Sequence, residues 1–311
     1  MIKIRLFSRS ISKPFFRLTV FLFLTTIGCT PKIQQLTLTE QPALPGIASE
    51  TPFPTVQASP TGTSVPVEPT MVATLHLLPP EPQTIEFTAE DGTKLVGTYY
   101  PAGVNPAPLV VLFHWVRGSQ ADWLDLAKWL QNRDEFSSIW LPRMPNEMTY
   151  AVFTFDFRGF GKSALPSVIH WEPQGWLMDA RAAMKTARQL TGVDSNRYLT
   201  MGASIGGDAT IDVCEEGCLG ALSLSPGGYL TIPYHEAVER VAKLSPTPKV
   251  ICLAAEGDED SAQACRSASG DHYSMVIYPG SAHGMELLKP GYDPEIGELI
   301  FEFFKSAYEM P

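Results

Sequence analysis

Residues 202–206 read Gly-Ala-Ser-Ile-Gly, a G-x-S-x-G pattern, and no other stretch of this 311-residue chain restricts its local fold so sharply. A serine flanked in this way suits a sharp turn from a strand into a helix, with its hydroxyl lifted above the edge of the sheet. The glycines have a steric reason: strand and helix backbones approach so closely there that a larger side chain has no room. The flanks supply both elements. Residues 197–201 (RYLTM) read as a short buried strand, and residues 205–213 read as a helix despite the two glycines at its start. The pattern therefore predicts strand, turn and helix in succession, with Ser204 at the apex.

The rest of the chain repeats this alternation. Residues 85–88 alternate apolar and polar, Glu90-Asp91-Gly92 supplies a turn and residues 95–100 return, which predicts an antiparallel hairpin. Residues 109–113 (LVVLF) form a continuous apolar run of the kind buried on both faces of a parallel sheet. Further strands are predicted over 150–155, 222–225, 250–255 and 273–278. Helices are predicted over 121–130, 175–190, 232–244 and 296–308; in the first of these Trp123, Leu124, Leu126, Ala127 and Leu130 share one face. Strands alternating with helices after an opening hairpin predict an α/β fold built on a mostly parallel, doubly wound sheet.

The N-terminus is of another kind. Lys3, Arg5, Arg9, Lys13 and Arg17 make a basic start without an acid, and residues 18–27 (LTVFLFLTTI) form an apolar run too short for an ordinary spanning helix. Gly28-Cys29 follows directly. Residues 1–28 thus have the layout of a secretory signal. A cysteine directly after a small residue resembles the lipobox of bacterial lipoproteins, although Thr26 stands where that motif usually has leucine. The resemblance implies a lipid on Cys29 and attachment of the exported chain to the membrane of the cell envelope; a plain signal peptide and an N-terminal anchor are the alternatives. Residues 29–82 are rich in Pro, Thr, Ser and Gln, lack the apolar content to fold and read as an extended tether, which leaves 83–311 as the folded domain. Loss of residues 1–28 removes five positive charges and no negative ones, so the net charge moves from −10 to −15. So acidic a chain repels phosphate backbones, and nucleic acid is excluded as a partner.

Apart from Cys29, the cysteines are Cys214, Cys218, Cys252 and Cys265, an even number that permits disulfides in an exported chain. Cys214 and Cys218 span one short loop, which favours their pairing. Cys252 falls in a predicted strand and Cys265 in the following helix, a second candidate pair. A pair of thiols without a nearby histidine does not complete a zinc site, so no metal is expected. Buried free thiols are the remaining alternative.

A serine hydroxyl becomes a useful nucleophile only when a base takes its proton, and the base works best when a carboxylate orients it. On a parallel sheet such groups belong in loops at the C-terminal edge. Of the six histidines, His76 falls in the tether, His114 precedes Ser204, His170 and His235 lie in connections, and His272 starts a strand at the opposite edge. His283 directly follows the last predicted strand. The carboxylate belongs after strand 250–255, where Glu256-Gly257-Asp258-Glu259-Asp260 offers several acids. Asp258, just past the turn at Gly257, is favoured and Asp260 is the rival; the bland alternative is a solvated acidic loop that caps a helix at Ser261. The resulting chain order is Ser…Asp…His.

These segments together resemble the α/β-hydrolase family over nearly all of residues 85–308. The carrying motifs are IEFTAEDGTKLVGTYYP, LFHWVRGSQADW, FDFRGFGKS, GASIGG, AAEGD and GSAHG, and dienelactone-hydrolase and small-esterase members are the most similar. The resemblance implies the α/β-hydrolase fold and cleavage of a small-molecule carboxylic ester through an acyl-enzyme. Ser204 would attack, His283 would act as base and then acid, and Asp258 would orient His283. The oxyanion would be held by the N–H of Ile205 and by that of Val116, which falls on the x of the family's His-Gly-x loop; Trp115 replaces its glycine. No metal or organic cofactor is implied. The same residues serve peptidases and cofactor-free haloperoxidases, and a binding lipoprotein without turnover is the non-enzyme alternative. Residues 156–163 match the family's D-x-R-G-x-G-x-S loop. Asp156 stands where a phosphate-binding loop needs its first glycine, so a structural role is expected, with Arg158 tying down neighbouring backbone. The short stretch 226–249 leaves no room for a large lid, and an open site favours small or extended soluble substrates.

Overall fold

The computed structural model describes residues 77–134, 136–163 and 171–310. The expected signal segment, Cys29, the expected tether up to residue 76, His76 and His170 lie outside the described residues.

The opening hairpin forms as expected. β1 (Gln83–Thr88) and β2 (Lys94–Tyr100) pair antiparallel across the Asp91-Gly92 turn. β2 runs antiparallel to β4 (Ala151–Asp156), and from there every pairing is parallel: β4 with β3 (Ala107–Phe113), then β5 (Val193–Ala203), β6 (Cys218–Leu224), β7 (Lys249–Ala255) and β8 (Tyr273–Tyr278). The eight-stranded order is β1-β2-β4-β3-β5-β6-β7-β8.

That order fixes where the helices go. Parallel crossovers are right-handed, so a helix changes face when the chain changes its direction of travel across the sheet. The chain steps one way from β3 to β4, then reverses past β3 to β5 and continues to β8. α1 (Leu124–Gln131) and the closing α6 (Ile296–Tyr308) accordingly share one face. α2 (Pro173–Ala187), α3 (Ile205–Asp212), α4 (Tyr234–Val241) and α5 (Glu259–Ser267) cover the other. β3 is buried along its whole length because its residues alternate between two cores: Leu109, Val111 and Phe113 pack under α2 and α3, while Val110 and Leu112 pack under α1 and α6.

Two local readings are corrected. Leu124, expected to face inward with Trp123, is 43% exposed. The segment starts as a 3-10 turn over Gln120–Trp123, which advances three residues per turn and rotates the pattern; Trp129 is buried in its place. The helix expected over 232–244 is the shorter α4, which packs among α3 and α5 within the layer. Both candidate cysteine pairs are disulfides. Cys214–Cys218 closes the turn between α3 and β6, and Cys252–Cys265 ties β7 to α5, with Cα separations of 5.4 and 5.6 Å.

Candidate active site

Strand order reverses at β3, and in such sheets ligands bind at the C-terminal ends of the strands beside the reversal, here β3 and β5. Ser204 sits there, between the last residue of β5 and the first of α3, with φ 55° and ψ −118°. A non-glycine residue in this region costs about 1–3 kcal/mol, and the surroundings hold it in place. Its N–H donates to the Leu224 carbonyl at 2.8 Å. A Cβ on Gly202 would strike the Gly206 carbonyl, and one on Gly206 would strike the carbonyl of Phe113 at the end of β3. The close approach expected of the G-x-S-x-G glycines is thus real, and it involves a second strand as well as the elbow's own.

His283 follows β8 and turns its ring back to the elbow. Nε2 lies 2.9 Å from Ser204 Oγ, and Nδ1 lies 2.7 Å from Asp258 Oδ2. A carboxylate can only accept from the neutral ring, which puts the proton on Nδ1 and leaves the Nε2 lone pair for the serine hydroxyl. Asp258 occupies the N-cap position of α5 but makes no side-chain cap bond there, so its carboxylate is available to His283. Asp260 is exposed on the first turn of α5, and the histidine bonds Asp258 instead.

The loop after β3 is anchored by a different histidine. His114 is fully buried; its Nε2 accepts the Phe157 N–H at 3.0 Å, so its Nδ1–H donates to the Trp115 carbonyl at 2.6 Å. Burial holds His114 below the usual imidazole range, which keeps it neutral. Trp115 also accepts from Gly118 N–H, which makes a turn with Val116 inside it, 37% exposed. The Trp115 indole, where the family's loop has glycine, packs against Gly284 and donates from Nε1 to Asp122 at 2.9 Å. Ile205 is the first residue of α3, where backbone N–H groups have no partner within the helix and the positive end of the helix dipole lies.

Several supporting residues carried no signal in the sequence. Ser225 leaves β6 with φ 49°, and its Oγ accepts the Gly284 N–H at 2.9 Å, next to His283. Glu286 accepts the His283 N–H at 3.1 Å and pairs with Arg117 at 3.2 Å, joining the two loops. Asp208, one helical turn after Ser204 and fully buried, accepts N–H groups from Gly227, Gly228 and Tyr229; burial pushes its pKa up to about 7. Its one visible sequence trait is an acid inside the apolar start of a helix.

The 156–163 loop is structural, but not as expected. Arg158 binds carboxylates rather than backbone: Nη2 meets Asp179 of α2 at 2.7 Å and Nη1 meets Asp91 of the hairpin turn at 2.6 Å. That bond holds Asp91 down to about 2. A buried acid such as Asp179 requires a counter-charge, and the arginine supplies it. Asp156 accepts from the backbone and side-chain nitrogens of Gln120 at 2.8 and 2.7 Å, fastening the segment before α1.

No family model matches the chain. Among curated proteins it is 29% identical over 192 residues to the uncharacterized protein YfhR of Escherichia coli, covering 54% of this chain and 61% of that one. It is 28% identical over 206 residues to YfhR of Salmonella typhi, covering 56% and 63%. The chain thus spans less than two thirds of the length of these relatives. Among solved structures, an esterase of Pyrococcus furiosus has a TM-score of 0.53 at 18% identity, over 73% of this chain and 92% of that one. The α/β hydrolase GrgF of a Penicillium species has a TM-score of 0.55 at 15% identity, over 74% and 100%. Acetyl xylan esterase 1 of a Thermoanaerobacterium species has a TM-score of 0.52 at 14% identity, over 75% and 89%. With its strand order, its antiparallel opening pair and these neighbours, the chain has the α/β-hydrolase fold.

Proposed function

We propose that this protein is a serine hydrolase that cleaves a carboxylic ester through an acyl-enzyme. One observation carries the reading: an unbroken hydrogen-bonded line from Ser204 Oγ through both nitrogens of His283 to Asp258, starting at a strained elbow. His283 Nε2 takes the Ser204 proton as Oγ attacks the carbonyl carbon. The oxyanion forms against the N–H groups of Ile205 and Val116. Asp258 holds the Nδ1 proton and stabilises the imidazolium. His283 then gives its proton to the departing alcohol, and water, activated by the same Nε2, releases the acid. No step calls for a metal or organic cofactor. Solved neighbours that are named esterases support this class of reaction.

Fluorophosphonate labelling together with a series of p-nitrophenyl esters of graded chain length tests the reading. The native protein should be labelled and active, and Ser204→Ala should lose labelling and about 10⁴-fold or more of its turnover. Full activity in Ser204→Ala would refute the mechanism.

We further propose that the chain is exported and held at the cell envelope by a lipid on Cys29. The basic start, the short apolar run and Gly28-Cys29 support it, as do two disulfides of the kind that persist in oxidising compartments. Detergent-phase partition that is unchanged by Cys29→Ala would remove this assignment.

A further inference from the structure

From His283 a line of aromatic rings runs out to solvent. Tyr229 lies edge-on to the His283 imidazole at 6.2 Å, and Trp171 lies edge-on to Tyr229 at 6.1 Å. Trp171 also meets Trp176 of α2 at 5.0 Å and 85°. Trp176 is buried, whereas Trp171 is 58% exposed and is the one exposed large aromatic side chain among the described residues. A lone exposed tryptophan needs no explanation. This one ends a track that begins at the histidine of the proposed site.

The track is built into the fold. Tyr229 stands in the loop after β6, and the buried Asp208 carboxylate accepts its backbone N–H at 2.6 Å along with those of Gly227 and Gly228. Burying an acid is expensive unless hydrogen bonds satisfy it, and the N–H groups that do so here belong to the loop that carries Tyr229. A Cβ on Gly227 would overlap the Tyr229 ring, so glycine at 227 is what admits the ring to this position. The Tyr229 hydroxyl is turned to Ser261 Oγ on α5, 3.4 Å away. With its polar end so placed, the side chain offers the site an apolar ring.

We propose that Trp171 and Tyr229 form the subsite for a flat aromatic ring on the alcohol half of the ester, making esters of ring-bearing alcohols the preferred substrate class. The inference rests on the reading of Ser204, His283 and Asp258 given above. The alcohol half belongs on this side because His283 must protonate the departing oxygen, whereas the carbonyl oxygen points to Ile205 and Val116. An aromatic ring in this position gains edge and face contacts with rings already held in place. A sugar would also need polar partners for its hydroxyls, and the hydroxyl of Tyr229 is turned away to α5.

Benzyl acetate against butyl acetate is the test for the alcohol side, and methyl phenylacetate against methyl pentanoate for the acyl side. The native protein should prefer benzyl to butyl acetate. Trp171→Ala should lower the benzyl-to-butyl ratio of kcat/KM by about 3- to 10-fold, and Trp171→Phe should restore most of it. An unchanged ratio overturns the subsite. A loss confined to methyl phenylacetate overturns its assignment to the alcohol half. Fluorophosphonate labelling of the same samples separates the two readings. Labelled protein without ring preference defeats the subsite alone; unlabelled protein defeats the hydrolase reading and the subsite with it.

Discussion

Replacing Asp212 by asparagine should remove one of the buried-acid contributions to the pH dependence of stability, that of Asp208 remaining. Asp212 ends α3, is 4% exposed, and neither of its carboxylate oxygens has a hydrogen-bond partner among the described residues. Burial, reinforced by the neighbouring charge of Asp208, pushes its pKa from the ordinary 3.8 to about 7. The unfolded chain gives up this proton near pH 3.8 and the folded chain only near 7, so between those values the folded state holds more protons. Stability is therefore greatest below about pH 4 and falls as pH rises to about 7. A rise of roughly three on the pH scale, at about 1.4 kcal/mol each, is worth up to ~4 kcal/mol above pH 7. Asparagine does not titrate, but its amide brings an additional unpaired N–H, at about 1–2 kcal/mol. Asp212→Asn should then be less stable than the native chain by about 1–2 kcal/mol at pH 4 and more stable by about 2 kcal/mol at pH 8. For a domain of this size that is about 4–8 °C in Tm at pH 8. Thermal scans of both proteins from pH 4 to 8, disulfides intact, should give curves that cross. Parallel curves would refute the argument, because they require that Asp212 titrates alike in the folded and unfolded chains.

Two further outcomes follow from the site. Asp258→Asn should lower ester turnover by about 10³–10⁴-fold while leaving Tm nearly unchanged, and Asp260→Asn should alter turnover by no more than about twofold; the reverse pattern would move the acid two residues along. Gly206→Ala drives a Cβ into the Phe113 carbonyl, so it should cost about 3 kcal/mol or more in denaturant unfolding and abolish labelling of Ser204; a native-like, labelled variant would contradict the packing between the elbow and β3.

What the sequence determined about this protein is what neighbouring residues settle among themselves. The elbow at Ser204 is legible because Gly202 and Gly206 sit within its own turn. The β3 run is legible because burial on two faces demands apolar residues at every position. The histidine could be placed because the strands succeed one another along the chain and His283 directly follows β8. The tertiary structure decided what depends on residues brought together from a distance. His283 is 79 positions from Ser204 and 25 from Asp258, and whether Asp258 or Asp260 reaches the ring depends on how α5 leaves β7, which no local pattern encodes. The partners of Arg158 are not legible locally because the carboxylates it binds lie 21 and 67 positions away. Leu124 turns outward because a 3-10 turn breaks the helical period within one segment. Ser225, Asp208 and Tyr229 went unseen for the same underlying reason. Each acts through a contact with another loop or helix, and a single polar or aromatic residue carries no mark of its partner until the sheet has brought the two together.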